Sequence, residues 1–466
     1  MRKSLPNALE IDFRGGLKVV ETPHAGVALL IEAGRRSGVM AAAERCLPPK
    51  RSPKGLGQDQ MVESFVLLSA LGGECLDDFT GLRRDLGLAA LTGYTLPAAA
   101  TARQWLDRFH EEALLEGRPR QGSFIAPESA ALAGLRATVQ RSVAAYVSAV
   151  QPGPALTLDV DAHLVASSKR EALPTYEGYR GYQPLLVSWA ETGLVLADEF
   201  RDGNVPASTG IKALVDEAYA ALPPRADAQA WQVAVRSDSA AYAYVNLDHW
   251  QARGWRFAVS ADLSAQLRKA IEALLPAAWQ AWAQESDGTV REWAEVAYVP
   301  TRVPEQRDAT PYRYVAIRVR KAQGLLFGDG MTVKHFAVVT NDWESGGKAL
   351  LVWQRGKAGT IEHVHRTLKD ELAAGVYPSG KVGANAAWLR LQVLTLNLLE
   401  IMKAVALEPQ YRRARPKRLR FAVFTQIGRL VRHARLQCVR IAGQILQALL
   451  APALARLARA QWASSA

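Results

Sequence analysis

The sequence predicts an α/β protein built on a mixed β-sheet. Residues 155–161 alternate between apolar and polar, and strand-like runs follow at 184–190, 194–200 and 231–236. Helical stripes begin near Pro206 and Ala240, so the order from residue 155 is strand, strand, strand, helix, strand, helix. A hairpin-linked trio followed by a strand–helix–strand crossover is typical of a mixed sheet with helices on its faces.

Residue usage changes along the chain and predicts five regions. We expect an N-terminal helical region at 1–150, where a helix with Arg103 and Arg108 is typical either of a DNA-binding unit or of ordinary helical packing, and the first part of the sheet domain at 151–260. Strand-like alternation at 312–320 and 335–340 predicts a β-rich insertion at 261–350. Its tryptophans include Trp293, which could stack on an unpaired base but is more often a core residue in such a pattern. Residues 351–402 return to helix as the last part of the sheet domain, and 403–466 form a basic C-terminal helical region.

The composition indicates a globular protein of a reducing compartment. The 466 residues amount to about three domains, and 49% hydrophobic with 22% charged residues excludes a mainly disordered chain. Cys46, Cys75 and Cys438 form no CxxC pair, which argues against a zinc site or a disulfide framework. The first residues lack the apolar segment of a signal peptide, and no apolar run reaches about 18 residues. We therefore expect a cytoplasmic protein without a membrane span.

Positive charge is concentrated near the C-terminus. Lys and Arg outnumber Asp and Glu by 57 to 45, and eleven basic residues lie between Lys403 and Arg440 with Glu408 as the only acid. This density predicts a surface that follows a phosphate backbone, although a solvated basic helix has the same composition. The residues that we expect to contact DNA here are Arg412, Arg413, Arg415, Lys417, Arg418 and Arg420.

Two acidic residues lie on the polar face of the first predicted strand. Asp159 and Asp161 are two residues apart, so their side chains point the same way at a separation of about 7 Å. Two carboxylates on one face repel each other unless a cation or a base lies between them. Asp161 taken alone is more often the strand-end Asp of an ordinary loop. Of the two acids, Asp161 is nearer the end of the strand, and the spacing by itself leaves the choice between them open.

Asp238 and Glu362 are the other candidate acids. Asp238 follows a predicted strand, where α/β folds tend to bind ligands, although Asp is also a common helix N-cap residue. Glu362 shares a helical spacing with His365, Arg366 and Lys369. A surface Glu362 could simply pair with Arg366, whereas a Glu362 facing the sheet would leave Lys369 two turns away to bind a phosphate. The apolar stripe of this helix consists of Ile361, Val364, Leu368 and Leu372.

Three carboxylates that converge on one sheet predict a site for hard, oxygen-seeking cations such as Mg²⁺. Two such ions, about 3.5–4 Å apart, activate water or a sugar hydroxyl and stabilise the leaving oxygen in phosphoryl transfer. We therefore expect Asp161, Asp238 and Glu362 to hold two Mg²⁺ ions, with Mn²⁺ as a substitute.

With these residues, the sequence resembles bacterial insertion-sequence transposases of the DDE class, in particular the insertion-sequence-1380 group near the insertion-sequence-4 superfamily. The resemblance extends over nearly the whole chain. The segments that carry it are 72–78 (GGECLDD), 159–162 (DVDA), 176–184 (YEGYRGYQP), 201–204 (RDGN), 236–239 (RSDS), 359–362 (GTIE) and 384–388 (ANAAW), together with Lys369.

The resemblance implies an RNase H-like catalytic domain whose sheet holds two aspartates and whose helix carries a glutamate, with the β-rich insertion between them. It implies that Asp161 is the first metal ligand, Asp238 the second and Glu362 the third. His163 stands where related enzymes commonly have Thr, and it either lies near the metals or forms local hydrogen bonds.

The related superfamily has a Tyr, Arg, Glu, Lys signature around its glutamate, and the match here is partial. Lys369 occupies the Lys position, whereas the Arg and Tyr positions fall on Ala358 and Arg355. Arg355 or Lys357 could supply the missing charge, so we add Arg355, Lys357 and Lys369 to the residues expected to bind DNA.

The activity that the resemblance implies is DNA transposition in the bacterial cytoplasm, in association with the nucleoid. The protein would bind the terminal inverted repeats of its element as a homodimer, cut both ends and join them to target DNA. A catalytically silent, domesticated DNA-binding relative is one alternative. A sugar hydrolase with paired carboxylates is another, although it would not need the basic C-terminal segment.

Overall fold

The computed structural model describes residues 20–50, 52–119, 122–225, 229–300, 311–322, 331–433 and 436–463. The strands in these ranges are β1 (Val20–Thr22), β2 (Ala155–Ala162), β3 (Val165–Ala166), β4 (Leu173–Pro174), β5 (Arg180–Tyr182), β6 (Leu185–Trp189), β7 (Leu194–Glu199), β8 (Gln232–Ser237), β9 (Arg256–Ala261), β10 (Gln280–Gln284), β11 (Val290–Val296), β12 (Arg313–Ala322), β13 (Met331–Thr340), β14 (Gly428–His433) and β15 (Leu436–Arg440).

The predicted mixed sheet is confirmed. Within the described ranges, nine strands form one sheet in the order β10-β11-β12-β13-β9-β8-β2-β6-β7. β2 runs parallel to β8, and β8 runs parallel to β9, whereas the other neighbours are antiparallel. The apolar residues of β2 that the alternation placed on one face, Leu156, Leu158 and Val160, are all fully buried.

The strands of the β-rich insertion extend the central sheet. β13 pairs with β9 over Ala337–Thr340 and Ala258–Ala261. β12 and β13 carry buried apolar side chains on both faces, for example Val315 and Val338 in one cluster and Ala316 and Val339 in the other. Strands with two apolar faces need cover on both sides, which a continued sheet provides.

Trp293 belongs to the core of this extension. Its side chain is buried with Val315 and Leu350, and a Cβ on Gly347 would lie 2.1 Å from its ring. The ring therefore packs against the Gly347 backbone, and the interpretation of Trp293 as a base-stacking residue is wrong.

Helices surround the sheet. Those of five residues or more are Ala28–Arg36, Val39–Cys46, Gln58–Ala70, Phe79–Arg83, Leu86–Thr92, Ala99–Leu106, Ala130–Val150, Ile211–Ala220, Tyr244–Ala252, Ala265–Glu272, Gly347–Arg355, Ile361–Glu371, Val382–Val405 and Ala451–Arg459. The helix expected from Pro206 begins only at Ile211, because Gly210 before it has the left-handed φ of 75°. Val382–Val405 is buried along most of its length and packs against Ala130–Val150. No helix in the described ranges is long and apolar enough to cross a bilayer.

The basic C-terminal segment is not wholly helical, and the prediction is wrong for Gly428–His433 and Leu436–Arg440. β14 and β15 form an antiparallel hairpin, and β14 also pairs with β1. Arg429 pairs with Glu21 across this junction at 3.1 Å. The exposed edge of β1, more than 400 residues away in sequence, gives the segment a strand partner that local composition does not reveal.

Candidate active site

The sheet brings Asp161 and Asp238 to the same edge. β2 and β8 are parallel neighbours, and Val160 on β2 is paired with Ser237 on β8. Asp161 and Asp238 each follow that pair by one residue, on strands that lie about 4.8 Å apart. Asp238 also caps the short turn after β8, where its Oδ1 accepts a hydrogen bond from the Ala240 backbone at 3.1 Å. The N-cap interpretation of Asp238 is confirmed, and its functional role stays a prediction.

Asp159, the alternative to Asp161, is occupied by a structural ion pair. It is fully buried, and Arg236 donates to its two oxygens from Nε at 2.7 Å and from Nη2 at 2.9 Å. The hydroxyl of Thr360 donates to the same carboxylate. Asp159 thus fixes the start of the Ile361–Glu371 helix on the polar face of β2. This geometry supports Asp161, and not Asp159, as the acid with unused ligand capacity.

Asp161 has different neighbours from Asp159. The Lys357 ammonium is 3.4 Å from its Oδ1, and His365 Nε2 is 3.7 Å from its Oδ2. Burial, with smaller contributions from the negative charges of Asp238 and Glu362, raises the pKa of Asp161 to about 6 despite the nearby Lys357 ammonium. The three predicted acids are therefore close enough to affect one another electrostatically.

Glu362 lies in the first turn of the Ile361–Glu371 helix and is exposed. Among the described residues, no three His, Cys, Asp or Glu side chains are gathered closely enough to hold a metal ion as they stand. The Lys357 ammonium instead provides the nearest positive charge to Asp161. The acids share one region of the molecule without forming a closed set of ligands.

Two histidines adjoin Asp161. The rings of His163 and His365 are 5.3 Å apart between centroids, and within the described part of the chain neither Nε2 has a hydrogen-bond partner. Burial lowers the pKa of His365 to about 3, with smaller contributions from His163 and Lys357. Burial also lowers the pKa of His163. Burial therefore disfavours the charged form of both imidazoles, and an unprotonated imidazole nitrogen can bind a metal ion.

The helical spacing did not predict that His365 is buried, because it grouped His365 with Glu362 and Lys369 on one stripe of the helix. In the structure Glu362 and Lys369 are exposed, whereas His365 is buried. The sequence does contain a sign of this burial. His365 is four residues after Ile361 and one after Val364, which puts it beside the apolar stripe, and both of those residues are buried as the stripe predicted.

The basic residues near the acids differ in their surroundings. Lys369 is exposed on the helix that carries Glu362. The Arg355 guanidinium is exposed and lies over the ring of Trp282 at 5.1 Å. The Lys357 ammonium forms an ion pair with Asp161, so in this arrangement its positive charge lies at the acid and does not add to the outer surface.

The C-terminal basic residues are also not equivalent. Arg412, Arg413, Lys417 and Arg418 are exposed, the last lying near the ring of Phe421. Arg415 forms an ion pair with the buried Glu371. A cavity of about 530 Å³ separates this segment from the helix that carries Glu362. Its basic and hydroxyl-bearing lining includes Thr360, His363, Lys403, Arg412, Arg413 and Arg415.

The side chain of Arg420 connects the ends of two helices. Its guanidinium donates to the carbonyls of Ala70 at 2.9 Å and Ser69 at 3.0 Å, and to the carbonyl of Glu371. These carbonyls lie at the ends of two helices, where backbone acceptors lack intrahelical donors. We therefore withdraw Arg420 from the residues expected to contact DNA.

Comparison with known proteins assigns the chain to a family. The family model described as transposase DDE domain group 1 matches residues 4–462. The chain belongs to the DDE transposase family. A search of curated proteins found no match. Membership of the DDE transposases supports a transposase function with DNA as the partner, and enzymes of this family generally use divalent metal ions.

The residues around Asp161 fit such an ion in their chemistry. Asp161, Asp238 and Glu362 supply carboxylate oxygens, the ligands that hard divalent cations prefer. Burial, and to a smaller extent repulsion from the other two acids, raises the pKa of Asp161, and a bound cation would offset both effects. The unpartnered nitrogens of His163 and His365 add ligand capacity on the same side.

Proposed function

We propose that this protein is a transposase of the insertion-sequence-1380 type. It would bind the terminal inverted repeats of its element and catalyse metal-dependent strand cleavage followed by strand transfer into target DNA. The observation that carries this proposal is the placement of Asp161 and Asp238 at the ends of adjacent parallel strands, within electrostatic reach of Glu362, in a chain of the DDE family.

Asp161, Asp238 and Glu362 would hold two Mg²⁺ ions, with Mn²⁺ as a substitute. When bound, the ions activate the attacking water or 3′-hydroxyl and stabilise the leaving oxygen. The chain itself positions the acids: β2 and β8 fix two of them, and the Thr360–Asp159 bond holds the helix that carries the third. For Glu362 to complete the set, its exposed side chain must turn toward Asp161.

Lys369 and Arg355 would bind the phosphates that flank the cleavage site, since both are exposed and Lys369 is on the helix of Glu362. The exposed residues Arg412, Arg413, Lys417 and Arg418 extend this positive surface. A surface of this kind binds DNA with a strong dependence on salt, because each neutralised phosphate releases condensed counterions. We further propose a homodimer in the DNA complex, because two element ends must be cut together, and a location at the bacterial nucleoid in the cytoplasm.

Cleavage of DNA carrying the element ends tests the proposal. Purified full-length protein is incubated with labelled duplexes that span each end and its flank, with Mg²⁺ or Mn²⁺. We expect cuts at the ends, and we expect Asp161→Asn, Asp238→Asn and Glu362→Gln each to abolish them while DNA binding persists. Asp216→Asn is the matched control. Asp216 is on the helix Ile211–Ala220, which carries none of the three acids, and it pairs with His249 and Arg253.

Normal cleavage by all three variants would disprove the site. A wild-type protein that binds the ends and cuts with neither metal ion would instead indicate the silent, domesticated relative. Binding to sugars that is insensitive to salt would favour the hydrolase.

A further inference from the structure

His365 has a buried nitrogen that the structure leaves without a partner. Its side chain is 8% exposed, and Nε2 makes no hydrogen bond to any part of the chain that the structure describes. Buried polar atoms are nearly always paired, and an unpaired one commonly indicates a missing ion or water. The nitrogen lies 3.7 Å from Asp161 Oδ2, so whatever pairs with it would also contact this acid.

The separation of the two atoms suits a metal ion between them. Ligand atoms bound at about 2.1 Å to one small cation lie roughly 3 to 3.5 Å apart, depending on the coordination angle. The observed 3.7 Å needs a contraction of only a few tenths of an ångström. The Lys357 ammonium approaches the other oxygen, Oδ1, at 3.4 Å. Lys357 and His365 therefore approach different oxygens of Asp161.

We propose that His365 is a nitrogen ligand of the metal ion bound by Asp161, and that this gives the centre a preference for Mn²⁺ over Mg²⁺. The proposal rests on the proposed function, since it concerns the same acids. Both ions bind well to oxygen ligands, but Mn²⁺ is a softer transition-metal ion and accepts an imidazole nitrogen more readily than Mg²⁺, which demands hard oxygen ligands. Replacing one oxygen ligand by an imidazole nitrogen thus weakens Mg²⁺ binding relative to Mn²⁺ binding.

Metal binding by the full-length protein without DNA tests this directly. Mn²⁺ is titrated by electron paramagnetic resonance, Mg²⁺ is measured by competition, and electron spin echo modulation detects a ¹⁴N nucleus directly bound to Mn²⁺. We expect a ¹⁴N signal in the wild type. In His365→Gln, which places an amide oxygen near the lost Nε2, we expect the signal to disappear and the Mn²⁺:Mg²⁺ affinity ratio to fall about tenfold.

His363→Gln is the matched control, because His363 is on the same helix but exposed, and it should leave both readouts unchanged. Absence of a ¹⁴N signal in the wild-type protein overturns the proposal without reference to any variant. An unchanged affinity ratio in folded His365→Gln, or a signal that persists there, overturns it as well, because His365 would then only position Asp161.

Failure of this inference is distinct from failure of the proposed function. If Asp161→Asn abolishes cleavage while the wild type shows no nitrogen coupling, the transposase site stands and only the role of His365 is lost. If Asp161→Asn cuts normally, the site itself is wrong.

Discussion

The two acids of β2 are two residues apart on the same face, yet their surroundings differ in kind. Asp159 receives two hydrogen bonds from Arg236 and one from Thr360, so its charge is fully paired. Asp161 is approached at longer distances by Lys357 and His365, and burial raises its pKa to about 6. A fully paired carboxylate holds the fold together, whereas one with a raised pKa and an open side retains the capacity to bind a ligand.

The largest expected effect comes from breaking the Asp159 pair. Arg236→Met leaves a buried carboxylate without its cation, so the free energy of unfolding should fall by about 3–5 kcal/mol in a denaturant titration. Arg256→Met is the matched control, because Arg256 also lies over the ring of Trp353 but is half-exposed. It should lose less than about 1 kcal/mol. Equal losses of unfolding free energy in the two variants would mean that the Asp159–Arg236 pair stabilises the protein no more than an exposed ion pair does.

At the Asp161 end, removal of the charge should stabilise the protein. Because the folded pKa is raised, the native state binds a proton more readily than the unfolded chain, so the wild type loses stability as pH rises from about 4 to above 6. In metal-free buffer with a chelator, Asp161→Asn should therefore be more stable by about 1–3 kcal/mol at pH 8. This gain should vanish as the pH is lowered to 4. A gain independent of pH would contradict the raised pKa.

The Thr360 hydroxyl allows a smaller test of the Asp159 end. Thr360→Val removes a donor to a buried charge, and we expect a loss of about 1–2 kcal/mol in the free energy of unfolding. Thr367→Val is the control, because this buried hydroxyl on the same helix has no hydrogen-bond partner in the described residues. It should be neutral or stabilising. If Thr367→Val is as damaging as Thr360→Val, the hydrogen bond to Asp159 is not the cause.

The smallest effect on stability is expected at Lys369, which is exposed on the helix that carries Glu362. Lys369→Ala should change the free energy of unfolding by less than about 0.5 kcal/mol. It should nevertheless lower the slope of log affinity for DNA against log salt by about 1, as loss of one phosphate contact predicts. Lys212→Ala, an exposed lysine paired with Asp216, is the control for the salt slope and should leave it unchanged.

Periodicity predicted the elements that carry the candidate site. The alternation of Leu156, Leu158 and Val160 correctly indicated β2, and the stripe through Ile361 and Leu368 correctly indicated the helix of Glu362. Both signals are local, since side-chain direction in a strand or helix follows from the backbone repeat. The same reasoning failed for β14 and β15, because a strand is also determined by the edge that it pairs with, and β1 is distant in sequence.

The sequence by itself determined the strand β2 and the helix of Glu362, whose repeats are local, and it supplied the acids and the excess of positive charge. The tertiary structure alone decided which acid of β2 is paired and which is left open. The parallel register of β2 and β8 sets Arg236 opposite Asp159 and leaves Asp238 beside Asp161. That register joins residues 77 positions apart. It is fixed by the packing of the whole sheet, which no local pattern of residues encodes.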